Sequence, residues 1–329
     1  MRAFEYASPA SVEDAVKALA GKDHSEALSG GTDLLSRMKD YVTSPDRVVY
    51  LKNIKALAGI DEKDGGLVLG AGTRLCDVIA DRRVQDKYPA LRQATLEVGT
   101  PQIRNMATVG GNLLQRPRCW YYRNGFGLLG KKDGKSLVRA GDNRYHAIFL
   151  TDGDALFVSP SSLAVPLIAL GAKATILGAK GERTIPVEDL YQVPKSERDR
   201  ELTIGPGELL TKITIPAPKG KNASYEARQK QAHDWPLILC SVNLQMDGDR
   251  VNDARIVIYG VAPIPWRSQE AERAIAGKRV DLETAAAAAA AAVEKARPLS
   301  MNGYKVPLCR NVVKRALLAA VGNRYWEEA

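Results

Sequence analysis

The stretch most informative about the fold is SGGTDLL, residues 29–35. It joins the short strand pattern of residues 26–28 to a helix predicted from Leu34. A second glycine pair lies in TVGGN, residues 108–112. Glycine pairs allow backbone N–H groups to approach a ligand closely, and such groups bind phosphate oxygens well. Two of these loops on successive α/β units predict one phosphate-bearing ligand held between them.

Both loops differ from the common nucleotide-binding motifs. Neither fits the G-x-G-x-x-G of a Rossmann site or the G-x-x-x-x-G-K-[ST] of a P-loop. A Rossmann-type nicotinamide site and a Walker-type ATPase are therefore disfavoured. Thr108 and Asn112 add side chains that can form directed hydrogen bonds.

The composition is that of an ordinary globular protein, with 45% of the 329 residues hydrophobic and 26% charged. No apolar run reaches the roughly 18 residues of a membrane helix. Residues 1–9 lack the order of a signal peptide, so a cytoplasmic location is expected, or a periplasmic one after export with a partner. The formal charge of +9 is interspersed with acidic residues and lacks interleaved aromatic residues, which disfavours nucleic-acid binding.

Residues 116–149 form a polar, basic stretch with little periodicity, as expected for a long loop or insertion. Between Arg116 and Arg144, eight Lys and Arg residues stand against only Asp133 and Asp142. This excess predicts a surface that can meet an acidic partner.

The order of predicted elements divides the chain into three parts. Residues 1–55 show βαβαβ order and form the first unit, and residues 56–180 form the second, which carries the insertion. Residues 181–329 form the third part. They begin with a linker to about residue 208 and continue with antiparallel strands from Leu209. Three helices are predicted there, at residues 269–275, 282–296 and 311–320.

SGGTDLL and PQIRNMATVGGN, residues 101–112, closely resemble the FAD-binding middle subunit of the molybdenum hydroxylases. That group includes xanthine dehydrogenase, carbon monoxide dehydrogenase and hydroxybenzoyl-CoA reductase. The resemblance implies an α+β fold. Its first part is a two-subdomain FAD-binding domain of the PCMH or vanillyl-alcohol-oxidase type. Its second is a C-terminal antiparallel sheet with helices, similar to the C-terminal domain of the carbon monoxide dehydrogenase flavoprotein.

The resemblance also implies which residues hold the FAD. The first loop is expected to line the ADP portion through Leu28, Ser29, Gly30, Gly31, Thr32, Asp33 and Leu34. The second is expected to face the pyrophosphate and ribityl chain through Thr108, Gly110, Gly111 and Asn112. Near the isoalloxazine we expect Pro101 and Ile103.

The sequence departs from the family's pattern at two places. Ser162, another expected cofactor-binding residue, stands where the family usually has Asp. Basic residues are common at the positions held by Ala227, Gln229 and Gln231. We therefore expect flavin affinity and potential to differ from those usual in the family.

The four cysteines, Cys76, Cys119, Cys240 and Cys309, show no CxxC spacing, so neither a zinc site nor a local iron–sulfur site is predicted. In relatives of the hydroxybenzoyl-CoA reductase and periplasmic aldehyde oxidase type, the same insertion binds a [4Fe–4S] cluster through four cysteines. Here the insertion contains Cys119 alone, and one thiolate cannot hold such a cluster. We expect FAD in this chain, but no iron–sulfur cluster.

The function implied by the resemblance is that of an oxidoreductase subunit. It would pass electrons, in either direction, between the [2Fe–2S] clusters of a small partner subunit and an external acceptor. Hydroxylation would belong to a large molybdopterin-binding partner, and no membrane insertion is expected. The first loop contains no His, the usual attachment residue of covalent flavoproteins in this superfamily, so noncovalent FAD is predicted. His146, beside the insertion, is a candidate for a position near a redox centre.

Two other functions stay open. One is a stand-alone flavin oxidase of the vanillyl-alcohol oxidase superfamily, which would need a substrate pocket in this chain. The other is a nucleotide-binding protein without redox activity, which would retain the glycine loops but show no flavin reduction.

Overall fold

The computed structural model describes residues 1–230 and 232–327, and the chain begins with a three-stranded parallel sheet. Its elements are β1 (Glu5–Ala7), α1 (Val12–Ala20), β2 (Ser25–Leu28), α2 (Leu34–Lys39) and β3 (Arg47–Tyr50). The strand order is β1-β3-β2. Ser11 caps α1 by accepting a hydrogen bond from the Asp14 N–H at 3.1 Å. The predicted βαβαβ order is confirmed, and the first glycine loop connects β2 to α2.

The next part of the chain supplies two antiparallel strands and a series of short helices. After a 3₁₀ turn (Lys55–Leu57), they are β4 (Ile60–Lys63), β5 (Gly66–Gly70), α3 (Leu75–Ala80), α4 (Arg82–Lys87), α5 (Pro89–Leu96), α6 (Pro101–Met106) and α7 (Val109–Leu113). The second glycine loop is the start of α7, which Thr108 caps.

The insertion contains short regular elements, although its sequence predicts a long loop. They are α8 (Trp120–Arg123), β6 (Lys131–Lys132), β7 (Lys135–Ser136) and α9 (Leu137–Ala140). Tyr122, Leu128 and Leu129 form a small core of their own with Ala155 and Phe157. The insertion is therefore packed onto the chain that follows it.

The chain then returns to the sheet begun by β4 and β5. The elements are α10 (Ala164–Ala169), β8 (Lys173–Gly178), β9 (Gly181–Pro186), a 3₁₀ turn (Val187–Leu190) and β10 (Leu209–Ile215). The resulting five-stranded sheet has the order β4-β5-β10-β8-β9.

The course of this sheet differs from the predicted division of the chain. The boundary predicted at residue 180 falls inside the β8–β9 hairpin. β10, which was grouped with the C-terminal strands, instead pairs with β5 and β8. Its apolar residues are evident in the sequence, but a pattern of apolar residues does not specify which sheet a strand joins.

The last part is an antiparallel sheet with helices, as predicted, and this sheet has four strands. Its elements are β11 (Lys221–Ala227), β12 (Ile238–Asp247), β13 (Arg250–Tyr259), β14 (Trp266–Arg267), α11 (Gln269–Ile275), α12 (Leu282–Ala291), α13 (Lys305–Ala320) and a 3₁₀ turn (Tyr325–Glu327). α13 starts six residues before the predicted Asn311. Pro307 lies in its first turn, where a missing N–H is tolerated. Among the described residues, no helix is long and apolar enough to cross a membrane.

Candidate functional site

The two glycine loops contact each other directly, although they are far apart in sequence. The hydroxyl oxygens of Ser29 and Thr108 lie 3.0 Å apart. A Cβ atom at Gly30 would lie 2.2 Å from the carbonyl oxygen of Met106, far inside van der Waals contact. Glycine at position 30 is therefore required by the packing of the chain itself.

The first loop offers unused backbone donors. Within the described part of the chain, the N–H groups of Gly30, Gly31, Thr32 and Asp33 have no hydrogen-bond acceptor. Gly31 has a φ of 75°, a left-handed conformation that glycine adopts without strain. Successive free N–H groups of this kind form a concave site for an anion.

The second loop uses its backbone donors internally. The Gly110 N–H donates to the Ala71 carbonyl at 2.7 Å, and the Asn112 N–H donates to the Thr108 carbonyl at 2.8 Å. The Gly111 N–H donates to the Thr108 hydroxyl at 3.2 Å. The second loop is thus held firmly against β5 and supports the first.

One cavity lies on the side of the loops that faces the five-stranded sheet. It has a volume of about 170 Å³, and both glycine loops line it together with apolar side chains, among them Leu51, Leu57 and Ile204. Leu34 and Leu202 add to this apolar wall.

Arg200 lines this cavity and adds a positively charged side chain to it. Its guanidinium has no ion pair or hydrogen bond among the described residues, and its Nε is buried. The neighbouring Glu201 forms an ion pair with Arg116. Burial, followed by repulsion from Arg116, lowers the pKa of Arg200, and a bound anion would relieve both penalties.

A second cavity, of about 300 Å³, lies on the other side of the loops. Thr32, Gly111, Asn112, Ile103 and Ser162 line it, as do Arg118 and Trp235. The side-chain oxygen of Asn112 accepts hydrogen bonds from the Ser161 hydroxyl at 2.9 Å and the Leu163 N–H at 3.2 Å. These two contacts fix the orientation of the Asn112 amide, whose nitrogen has no protein partner among the described residues.

Asp33 borders both cavities, but its carboxylate faces the protein. Oδ1 contacts Arg123 at 2.7 Å and Arg118 at 3.1 Å. Oδ2 accepts from Arg37 at 3.2 Å and from the Arg116 N–H at 3.1 Å. Burial alone would raise the pKa of this carboxyl, but the arginines Arg118, Arg123 and Arg37 together hold it below its usual range.

Most of the predicted cofactor-binding residues meet at these two cavities, and two lie apart from them. Leu28 packs against the small core of Leu34, Met38 and Val48. Pro101 is the exposed first residue of α6 and lines neither cavity. Ile103, two residues later, does line the second.

The positions that depart from the family's basic pattern lie beyond the glycine loops. Ala227 ends β11 and packs against the C-terminal core. Gln229 accepts a hydrogen bond from the Tyr145 hydroxyl at 2.9 Å. Gln231 lies outside the described residues.

Sequence patterns missed Arg200, Arg118 and Trp235. Arg200 belongs to the charged run KSERDRE, residues 195–201, where nothing distinguishes it from solvent-exposed neighbours. Trp235 is marked by one signal, since it is an isolated aromatic residue in a polar loop. The Arg118 guanidinium lies 4.8 Å from the centre of its ring, a cation–π contact.

The cysteines are dispersed. Cys119 Sγ lies 3.2 Å from His146 Nε2, whereas Cys240 and Cys309 are buried in the C-terminal core. Burial, with the nearby Lys305, lowers the pKa of His146 to about 4, so this imidazole is neutral at physiological pH. Within residues 1–230 and 232–327, no group of three or more His, Cys, Asp or Glu side chains is arranged to hold a metal ion.

Comparison with known families covers almost the whole chain. Residues 2–218 match the family model of the FAD binding domain in molybdopterin dehydrogenase. Residues 223–320 match that of the CO dehydrogenase flavoprotein C-terminal domain. The chain belongs to the family of FAD-binding medium subunits of the molybdenum hydroxylases, and the predicted fold class is confirmed.

Individual relatives are similar over nearly their whole length. The aldehyde oxidoreductase FAD-binding subunit PaoB of Escherichia coli (strain K12) is 29% identical over 97% of this chain and 99% of its own. The carbon monoxide dehydrogenase medium chain of Hydrogenophaga pseudoflava is also 29% identical, over 96% of each chain. A structure of carbon monoxide dehydrogenase from Hydrogenophaga pseudoflava, which lacks the Mo-pyranopterin moiety, superposes with a TM-score of 0.76. It shares 27% identity and covers 98% of both chains.

Proposed function

We propose that this chain is the FAD-binding electron-transfer subunit of a heteromeric molybdenum hydroxylase. It relays electrons, in either direction, between the [2Fe–2S] clusters of a partner subunit and an external acceptor. One observation carries the proposal: four successive backbone N–H groups without an acceptor among the described residues lie between two cavities. A dinucleotide with a central pyrophosphate has the matching chemistry.

The lining of the two cavities supports one assignment of the two halves of FAD. The N–H groups of residues 30–33 hold the pyrophosphate, and Arg200 supplies a cation to it. The first cavity, with Leu51 and Ile204, takes the adenosine. The second, with Ile103, Asn112 and Ser162, takes the isoalloxazine, where the Asn112 amide nitrogen is a directed donor.

The chemistry that bound flavin supplies is electron transfer in single and paired steps. This chain orients the ring through Asn112 and shields it with Ile103 and Trp235. Electron relay requires no nucleophile or proton shuttle from this chain. Hydroxylation then belongs to a molybdopterin-binding large subunit, and the [2Fe–2S] clusters to a small subunit.

The FAD is proposed to be noncovalent, because the first loop contains no His, Cys or Tyr. This chain is also proposed to carry no iron–sulfur cluster. Cys119 is the sole cysteine of the insertion, and its sulfur lies beside His146 Nε2, at 3.2 Å.

Cofactor analysis of the purified chain tests these assignments. We expect a yellow protein that releases one free FAD per chain on acid denaturation and contains negligible iron when prepared without oxygen. A colourless chain that does not take up added FAD would contradict the cofactor assignment. About four irons per chain, with broad absorbance beneath the flavin bands, would contradict the absence of a cluster.

Size and activity of the native material test the relay. We expect a heteromer containing molybdenum and [2Fe–2S] chains, in which reduction of the flavin requires the partners. A native homodimer that oxidises a small alcohol without partners would instead favour the stand-alone flavin oxidase.

A further inference from the structure

Half of the basic residues of the insertion form ion pairs outside it. Arg116 pairs with Glu201, both Arg118 and Arg123 pair with Asp33, and Lys131 pairs with Asp154 at 2.6 Å. The other four are exposed: Lys132, Lys135, Arg139 and Arg144. Part of the excess of charge that predicted a surface for an acidic partner is thus used within the chain.

Asp33 is where the insertion meets the first glycine loop. The carboxylate accepts three hydrogen bonds, from the Arg123 guanidinium, from the backbone N–H of Arg116 and from Arg37 of α2. It also forms an ion pair with Arg118. Arg116, Arg118 and Arg123 belong to the insertion, whereas Arg37 also pairs with Glu26 at 3.3 Å.

These contacts engage both oxygens of the carboxylate. The three hydrogen bonds and the ion pair with Arg118 all direct Asp33 toward protein groups, so its side chain serves to hold the loop. Its side chain is only 12% exposed, and those of Arg37 and Arg123 are 6% and 14% exposed, so solvent screening is weak.

The arginines are themselves fixed. Arg123 donates through Nε to the Pro117 carbonyl at 2.8 Å and through another nitrogen to the Arg116 carbonyl at 2.9 Å. Arg118 donates to Gln115 at 3.3 Å and lies over Trp235. A guanidinium held by several partners loses little further entropy when it pairs with Asp33.

We propose that the insertion holds the first glycine loop in its FAD-binding conformation through Asp33, with Arg118 and Arg123 as positioning residues. This inference rests on the proposed binding of FAD at residues 30–33. The loop needs such support because its four N–H groups have no protein acceptor among the described residues, so its own backbone hydrogen bonds do not fix its conformation. The ion pairs tie its last residue to a packed segment and so keep the donors directed at the ligand.

The test compares FAD dissociation constants of folded apoprotein variants, measured by quenching of flavin fluorescence. Arg123 lines neither cavity, and Arg123→Gln should weaken FAD binding by about tenfold, the effect of one charge-assisted hydrogen bond. Arg118→Gln should also weaken FAD binding, but because Arg118 lines the second cavity, the positioning role is decided by the Arg123 variant. The matched control is Arg144→Gln, because the one ion pair of Arg144 among the described residues is with Asp142 of the same insertion. This control should bind FAD like the unchanged chain.

A double-mutant cycle separates positioning from general destabilisation. Asp33→Asn should weaken FAD binding, and adding Arg123→Gln to it should cost little more, because both changes break one contact. Arg123→Lys, which retains the charge, should recover part of the affinity, and the thermal midpoint of each apoprotein is recorded alongside. Arg118 is 31% exposed, so its variant is expected to fold even if Arg123→Gln does not.

The outcomes are distinct. Equal FAD affinity in the Arg118, Arg123 and Arg144 variants would overturn the positioning role while leaving FAD binding intact. Additive losses from Asp33→Asn and Arg123→Gln would overturn it as well. Failure of the unchanged chain to bind FAD would instead overturn the proposed function.

Discussion

The two glycine loops have similar sequences but use their backbones in opposite ways. In SGGTD, residues 29–33, the N–H groups of residues 30–33 have no acceptor among the described residues, whereas those of Gly110, Gly111 and Asn112 in TVGGN bond to Ala71 and Thr108. The backbone N–H groups of the first loop are available to a ligand, whereas the second loop packs against the first and supports it. A glycine pair in a sequence thus shows where the backbone approaches something closely, but not whether that something is a ligand or the chain itself.

The difference follows from where each loop stands in the fold. The second loop opens α7 with a Thr cap, so helix formation uses its donors at once. The first leaves a strand and reaches α2 through Asp33, whose side chain makes no cap hydrogen bond. The Asp33 carboxylate instead forms ion pairs with Arg118 and Arg123 of the insertion.

The largest effect is expected at Gly30. A side chain at Gly30→Val would meet the Met106 carbonyl, so the two loops would separate and FAD binding should be lost. Overpacking should also cost about 1–3 kcal/mol of stability. Flavin content and the urea midpoint measure the two effects. Gly303→Val is the control, because nothing lies within 4 Å of a Cβ there, and normal flavin content in Gly30→Val would refute the close approach of the loops.

A smaller effect is expected at Arg200. Arg200→Gln should weaken FAD binding by about tenfold or more, since it removes a charge-assisted contact to the pyrophosphate. The loss should diminish as salt concentration rises. Arg198→Gln is the matched control, because Arg198 is exposed two residues away. Equal affinity of both variants would remove Arg200 from the site.

A substitution at Gly111 tests whether the second loop supports the first loop without binding the ligand itself. A Cβ there would approach only the Thr108 hydroxyl, at 3.0 Å, and Ala is preferred over Gly within helices by about 0.5–1 kcal/mol. Gly111→Ala should therefore fold normally and weaken FAD binding only about threefold, since the second loop contributes support rather than donors. Calorimetric titration with FAD measures this. A hundredfold loss would show that the second loop binds the ligand as closely as the first.

The smallest effect is expected from pH. The pKa of Asp33 is held below its usual value in the folded chain, so its stabilising contacts are complete above the unfolded value of about 3.9. They are lost only as pH falls through the lower folded value. FAD affinity should thus change less than about twofold from pH 5 to pH 8. A titration midpoint near pH 6 that disappears in Asp33→Asn would contradict the arginine contacts.

Local patterns predicted local structure well. SGGTDLL placed α2 at residues 34–39, where the structure has it, because strand end, glycine turn and helix start lie within a few residues. The same approach misplaced β10, since strand pairing is decided by residues far away in sequence. The contacts of Asp33 could not be predicted for the same reason, because its partner Arg123 is 90 residues away in sequence. Charge counting showed that the insertion is basic but not which acids it meets.

Hydrogen exchange of the apoprotein with and without FAD tests most directly whether the first loop binds the ligand and the second loop supports it. Backbone amides without an acceptor exchange quickly, and bonded amides in packed structure exchange slowly. We predict that peptides covering residues 30–33 exchange at least about tenfold more slowly once FAD is bound. Peptides covering residues 110–112 should be protected in both states. Protection gained mainly at residues 110–112, with residues 30–33 unchanged, would contradict the assignment of the first loop as the donor surface.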